Sequence, residues 1–366
     1  MEIKFLNKIT LQEFIESDQF NRMPVIPISK HRAISHINNP ANTPEDILLF
    51  LAFINNEMVG YLGVLADDIL LGANNKMHCG WMSCIWVSEQ HRGKKIAQQL
   101  LAASFKTWDN KLIATEFTLP AKVLYEKTNH FAEMKILNGV RLYLRSDLKY
   151  ILNKKGGWLQ KLKPFWTIAD SIINFVGDIR FRNIPALPNN FQVNIGNEIS
   201  EEASAFINKQ NQYNLFQRNA DALQWMLQYP WIIRPHEGDD QTSRYHFTAT
   251  DKSFDFIPVE VKDIEGNICA FILFAKRSNN LTLPYCFFTC NADIVVSIIQ
   301  HYMKVLAINT FTVYHASIAE KLKQQPMQVL WKKEVKRSYF ISKELFQQLT
   351  LKELHLQDGD GDCAFT

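Results

Sequence analysis

No stretch of the chain approaches the ~20 unbroken apolar residues of a membrane-spanning helix. The opening MEIKFLNKITLQEF scatters charges and holds no apolar core of signal-peptide length, so neither spanning nor secretion is expected. An excess of one charge is missing too: 40 basic against 37 acidic residues leave a net +3, too balanced to hold nucleic acid through bulk charge. Cysteine is sparse. Cys79, Cys84, Cys269, Cys286, Cys290 and Cys363 form no CxxC pair, and no second pair at zinc spacing follows Cys286 and Cys290. Neither a disulfide framework nor a metal site is therefore read, and reduced thiols in a cytoplasmic protein are the simplest account. The C-terminal DGDGD (Asp358, Asp360, Asp362) begins like a calcium loop, but Cys363 stands where that loop needs glycine. It reads as a solvated acidic tail.

What is present fits a globular α/β chain. With 366 residues, 47% of them hydrophobic and 21% charged, the sequence has the length for two domains and the composition for real cores. ILLFLAF, MVGYLGVL and GWMSCIWV read as three strands, the first two joined by the polar turn INNE. Ile96, Ala97, Leu100, Leu101, Phe105 and Trp108 then recur at helical spacing. A strand LIATEF, a helix PAKVLYEKT and two final strands from Phe131 through Arg145 complete a first unit over residues 1–150. The second half repeats this order. VEVKDIEGNICAFILFAK is a hairpin, LPYCFFTC a strand, ADIVVSIIQHYMKVLAI a helix, TFTVYHA a strand and SIAEKLKQQ a helix, with VLWKKEV and RSYFIS as two last strands. FQRNADALQWMLQYPW carries a helical face of Ala222, Leu223, Trp225, Met226 and Tyr229, which reads as core or domain interface.

Between the repeats, residues 151–190 form a basic, aromatic linker helix. Lys149, Lys154, Lys155, Lys161 and Lys163 come with no acidic residue among them, interleaved with Trp158, Phe165 and Trp166. Ile168, Ile172, Ile173 and Val176 continue as a helical apolar face. The preferred reading is a connecting helix that packs on both domains with its lysines solvated. The alternative is a segment resting on an anionic membrane surface.

The segment VSEQHRGKKIAQQLL carries the most chemistry. A strand ends at Val87, a short loop holds Arg92 and Gly93, and a helix begins at once. The first amides of such a helix have no intrahelical partners and sit at its positive end, so they suit an anion. Gly93 and Ala97 are small enough for a diphosphate to approach, and Lys94 and Lys95 add charge.

This segment resembles motif A of the GNAT superfamily of acyl-CoA-dependent N-acyltransferases, Arg/Gln-x-x-Gly-x-Gly/Ala. Here it reads Arg92-Gly93-Lys94-Lys95-Ile96-Ala97, with Lys95 where glycine is usual. Downstream, AKVLYEKTNHF resembles the family's Ala-x-x-Leu-Tyr-x-Lys-x-Gly-Phe helix, with Asn129 for the glycine and Phe131 one residue late. Thr118 stands where the family often has asparagine. The resemblance covers about the first 150 residues. It implies an α/β (α+β) fold of two GNAT-like domains, each a mixed, mainly antiparallel twisted sheet flanked by helices. It also implies acetyl-CoA or another acyl-CoA as co-substrate, with no metal. Ile85, Trp86 and Val87 would pair with the pantetheine arm; Arg92, Gly93, Lys94, Lys95, Ile96, Ala97 and Thr118 would serve the cofactor. Tyr125 would protonate the departing thiolate.

The general base is less defined: His78 before the central strand is the first candidate, ahead of Glu57 and Glu116. The second half, residues 191–366, has only Asn291 between its strand and helix and no tyrosine matching Tyr125, so it reads as a degenerate copy without a cofactor site. The expected activity is transfer of an acyl group to an amine of a small molecule, amino sugar or peptide. A non-catalytic acyl-CoA sensor or scaffold is the competing class, and a membrane-surface enzyme acting on a cell-envelope amino-sugar precursor is a third.

Overall fold

The computed structural model describes residues 1–72, 75–148, 163–180, 186–235, 241–325, 329–351 and 353–365. The chain starts with β1 (Glu2–Leu6) and the helices α1 (Lys8–Glu16), α2 (Asp18–Arg22) and α3 (Lys30–Ile37). Strands β2 (Leu49–Ile54), β3 (Glu57–Gly72) and β4 (Asn75–Val87) follow, then α4 (Ile96–Thr107), β5 (Leu112–Ala114), α5 (Leu119–Thr128) and β6 (Phe131–Tyr143). After α6 (Lys163–Arg180) come β7 (Gln192–Ile195), α7 (Glu201–Gln210), α8 (Ala220–Gln228) and α9 (Gln241–Arg244). The last stretch holds β8 (Phe254–Lys262), β9 (Ile268–Arg277), β10 (Asn280–Phe288), α10 (Ala292–Val305), β11 (Thr310–Val313), α11 (Ala316–Gln324), β12 (Trp331–Ser342) and α12 (Lys343–Gln347).

These elements form two compact units that interleave along the sequence. The first contains Met1–Ile136, Asn197–Phe254 and Arg337–Thr366; the second contains Leu137–Gly196 and Asp255–Lys336. Sequence order alone suggested a break near residue 150 and a second unit over 191–366, whereas each unit takes strands from both halves. The first orders its strands β1-β2-β3-β4-β5 and then the second half of β12; the second orders them β7-β8-β9-β10-β11 and then the second half of β6. In both, antiparallel pairing gives way to one parallel pair, β4 with β5 and β10 with β11. Each unit is thus a mixed, mainly antiparallel sheet flanked by helices.

In the first unit the sheet is buried on both faces, which explains why its strands read as continuous apolar runs. Phe50 and Ala52 of β2 point to a cluster with Leu100, Leu101 and Phe105 of α4, while Leu49, Leu51 and Phe53 point to Leu11, Ile15, Phe20 and Ala33 from the N-terminal helices. In the second unit Val295, Val296, Ile298 and Ile299 of α10 and Ile318 and Leu322 of α11 close the core over β9 to β11. Ala222, Leu223, Trp225 and Met226 of α8 are buried.

Three expectations need correction. The two final strands of each half are single strands, β6 and β12. Asn138-Gly139 has the look of a hairpin turn, but Gly139 lies inside β6, where an added Cβ would fall 2.4 Å from the Val313 carbonyl oxygen. The acidic tail is not solvated: Asp358, Asp360 and Asp362 are all buried in the first unit. Gly361 at φ 78° lies against Trp81, and Phe365 stacks on Trp231 with ring centroids 4.3 Å apart. Finally, Phe165 does not pack but is exposed, and Trp166 is only half-buried. Lys149, Lys154, Lys155, Trp158 and Lys161 lie outside the described residues.

Candidate active site

Strand β4 carries an irregularity at its middle. Leu62 pairs with Ile85 and Val64 with Met82, so Ser83 and Cys84 together face Gly63 alone. The extra residue makes a β-bulge, which bends the strand and turns its side chains. Gly63 makes room for it, since a Cβ there would come within 3.0 Å of the Cys84 sulfur. The parallel ladder with β5 ends at the same level, at Met82 and Ala114. Beyond it Glu116 takes a left-handed φ of 49°. Ser83–Val87 therefore have no strand on that side among the described residues, and the edge that includes Ile85, Trp86 and Val87 lies open in the first unit.

The loop after β4 leads into α4. Arg92 pairs with Glu89 at 3.2 Å, and both side chains are mostly exposed, so the pair is weak and open to competition. Gly93 has φ 82°, with nothing within 4 Å of an added Cβ. Lys95 begins α4 in the left-handed conformation (φ 60°, ψ 21°), and no side chain caps the helix. That geometry explains why the motif prefers glycine at this position: a lysine there carries roughly 1 kcal/mol of backbone cost. Lys94 and Lys95 are exposed, Ile96 is buried beneath them and Ala97 half-buried, so the first-turn amides face out from an anchored base.

Helix α5 brings the second motif. Thr118 is its N-cap, accepting from the Ala121 amide at 3.5 Å, and Asn129 ends it at φ 57°, the left-handed exit expected of that asparagine. Tyr125 is buried between Phe117 and Phe131, with ring centroids 5.8 and 5.1 Å away. Burial raises its pKa far above the ordinary phenol value, and the charges of Asp362 and Cys84 push the same way. It is held as a neutral hydroxyl.

A residue that sequence reasoning missed completes the cluster. Asp362 Oδ2 accepts a hydrogen bond from Ser83 Oγ, in the bulge, at 2.8 Å. Ser83 Oγ in turn accepts from the guanidinium of buried Arg32, whose Nη1 donates to the Tyr245 hydroxyl at 3.1 Å. Burial pushes the Asp362 carboxyl up to about 6, with Arg32 and the Ser83 bond limiting the rise. An acid poised near neutrality at an opened strand edge is suited to proton transfer. The one sequence signal for it is the apolar Cys363-Ala364-Phe365 that follows the aspartates and gives the tail a reason to be buried.

His78 is not brought to this cluster. It lies five residues before Ser83 on β4, ~16 Å away at strand rise. Its two ring nitrogens contact Asp46 at 2.9 Å and Asp68 at 3.0 Å, and its ring stacks on Trp108. The bonds to Asp46 and Asp68 raise its pKa to about 9, so it is an imidazolium at neutral pH and not a free base. Glu116 is engaged by Arg337 at 2.5 Å, and Glu57 is exposed at the start of β3.

The corresponding turn of the second unit is closed. The Asn291 side chain caps α10 on the Asp293 amide, and Asp293 puts a carboxylate in the first turn, bound to Lys321 at 2.7 Å. A phosphate would meet a satisfied amide and a like charge there.

Residues 11–131 match the acetyltransferase (GNAT) family profile. Over 106 residues, a quarter of this chain, the sequence is 35% identical to an N-alpha-acetyltransferase of Saccharolobus solfataricus, and that stretch covers 61% of the relative's length. The fold resembles the crystal structure of a GCN5-related N-acetyltransferase from Anabaena variabilis, with a TM-score of 0.52 and 11% identity over 92% of this chain and 72% of that one. It also resembles Saccharomyces cerevisiae N-myristoyltransferase with bound myristoyl-CoA, with a TM-score of 0.50 and 10% identity over 93% of this chain and 82% of that one.

Proposed function

We propose that the first unit transfers an acyl group, most simply acetyl, from acyl-CoA to an amine by direct attack on the thioester. Bound acyl-CoA supplies an acyl group activated on sulfur; the rest falls to the chain's own residues. The open edge of Ser83–Val87 offers N–H and C=O groups to an extended, amide-bearing arm. The uncapped start of α4, with Gly93 and the left-handed Lys95, suits a pyrophosphate. Asp362, ionised above about pH 6, takes the proton of the incoming ammonium so that the nitrogen attacks as a free amine. As the C–N bond forms and the C–S bond breaks, Tyr125 gives its hydroxyl proton to the departing sulfur and regains a proton from the attacking nitrogen, which loses its second proton as the amide forms.

One observation carries this reading: a buried carboxylate is joined to the bulge of β4, where the strand edge opens. The similarity to an N-alpha-acetyltransferase makes peptides with a free α-amine the first acceptors to try. A protein that binds acyl-CoA without turnover is the competing reading. Thiol release from acetyl-CoA, measured against α-amine peptides, amino sugars and other amines, separates the two. Release with at least one acceptor, reduced on the order of a hundredfold in Asp362→Asn, is expected. Tight binding of acetyl-CoA with no release on any amine would leave the binding-only reading standing.

A further inference from the structure

Helix α6 presents its faces in reverse. Its polar side is turned inward within the second unit: Asp170 Oδ1 accepts from Ser146 Oγ at 2.6 Å and from the Leu148 amide at 2.8 Å, while Asn174 brackets Ser146 by accepting from its amide at 2.6 Å and donating to its carbonyl at 3.0 Å. The opposite side carries Phe165, Ile168, Ile172 and Phe175, each 60 to 68% exposed, with Val176 beside them. At 3.6 residues per turn these positions fall on one stripe, ~15 Å long from Phe165 to Phe175. A packed amphipathic helix buries such a stripe; this one leaves it to an outside partner.

We propose that this face is an interfacial membrane anchor that lies flat on an anionic lipid bilayer. The argument for lipid over a second protein is charge. From Lys149 to Lys163 the chain supplies five lysines, and no acidic residue occurs between Asp147 and Asp170. Trp158 lies among them and Trp166 just beyond the last, and tryptophan favours the headgroup level. A short helix with apolar residues on its outer face, entered through a polybasic aromatic segment, matches what an anionic surface holds through burial and electrostatics together. No helix among the described residues is long and apolar enough to cross a membrane, so the contact would be in plane. This inference is independent of the acyl-transfer reading.

The full chain would be sedimented with vesicles of phosphatidylcholine alone and of phosphatidylcholine mixed with phosphatidylglycerol. Binding is expected to the mixed vesicles, to weaken at high salt, and to fall by at least about tenfold in the double variant Ile168→Asp, Phe175→Asp. Both side chains are exposed, so the variant should keep the circular dichroism and melting of the parent. No binding to the mixed vesicles at low salt would overturn the proposal. Equal binding by the double variant would overturn the assignment of this face. A dimer in solution that the same variant dissociates, without vesicle binding by the parent, would give the face to a second copy of the chain.

Discussion

Ser83 and Asp362 stand 279 positions apart in the chain and share a hydrogen bond of 2.8 Å. The bond ties the buried end of the chain to the one place where β4 breaks its ladder with both neighbours. If Asp362 is the base, kcat/KM should rise with pH through an apparent pKa near 6. Asp362→Asn should remove that limb and lower kcat on the order of a hundredfold, with acetyl-CoA affinity little changed. Stability moves the other way. The folded pKa of Asp362 lies above its value of 3.8 outside the fold, so its contribution is fully present below that value and is lost as pH rises through about 6. By linkage this is at most about 3 kcal/mol, and Asn should flatten that part of the pH dependence of melting. An Asn variant with full activity would end the role of Asp362.

Tyr125 is expected to act through its hydroxyl alone. Tyr125→Phe keeps the ring between Phe117 and Phe131. Acetyl-CoA affinity should therefore hold while kcat drops on the order of a hundredfold. Because burial holds the phenol neutral, no activity loss from its ionisation should be seen on the alkaline side up to about pH 10. Undiminished turnover in the Phe variant would pass the acid role to water.

The motif loop was legible in the sequence, and the structure supplies the physical reason. Arg92 to Ala97 and Tyr125 stand out in the sequence because local constraints, a left-handed residue and a helix start, leave a fixed spacing in the chain. Asp362 does not, because its place beside the bulge of β4 comes from a contact across 279 positions and its local composition is that of a solvated tail. The same limit hid the exchanged strands: β6 and β12 each read as a pair of strands, and strand propensity shows neither that each is continuous nor which unit it will join. His78 shows a related limit. The sequence reading set it before the central strand, whereas β4 already begins at Asn75, and the two carboxylates that hold its ring are invisible at the level of spacing.

That pairing has a measurable consequence. The folded pKa of His78 is raised from 6.5 to about 9, so its stabilising effect is present below pH 6.5 and is lost as pH rises through about 9. Melting temperature should decline across that window in the parent. His78→Gln should lower stability at neutral pH and remove the decline, while thiol release stays at the parent level. Loss of turnover greater than loss of folded protein would return His78 to the catalytic machinery.

At the helix start, Gly93→Val and Lys95→Gly should separate backbone strain from ligand approach. Nothing lies within 4 Å of a Cβ at Gly93, so valine there should leave the chain folded, at a backbone cost of roughly 1–2 kcal/mol. It should abolish the rise in melting temperature that acetyl-CoA gives, because that rise depends on binding to the folded state. Lys95→Gly relieves the left-handed strain but adds freedom to the unfolded chain, and the two effects nearly cancel. Its stability should match the parent, and its acetyl-CoA affinity should be equal or higher because a side chain leaves the pyrophosphate's path. A full thermal shift in the Gly93 variant would move the cofactor away from α4.

The two units should differ in what they bind. Both have a strand that leads into a helix after the fourth strand of the sheet, but only the first leaves that helix uncapped, with Gly93 at φ 82° in the preceding loop. In the second, Asn291 occupies the Asp293 amide and the Asp293 carboxylate repels a phosphate. Titration calorimetry should therefore count one acetyl-CoA per chain. Asp293→Ala combined with Asn291→Gly removes the cap and the charge at the second helix, and the count should stay at one because the surrounding loop still lacks an Arg-Gly segment. A count of two in the parent would make the second unit a cofactor site. A count of two only in the double variant would show that the cap and the charge alone keep acetyl-CoA out.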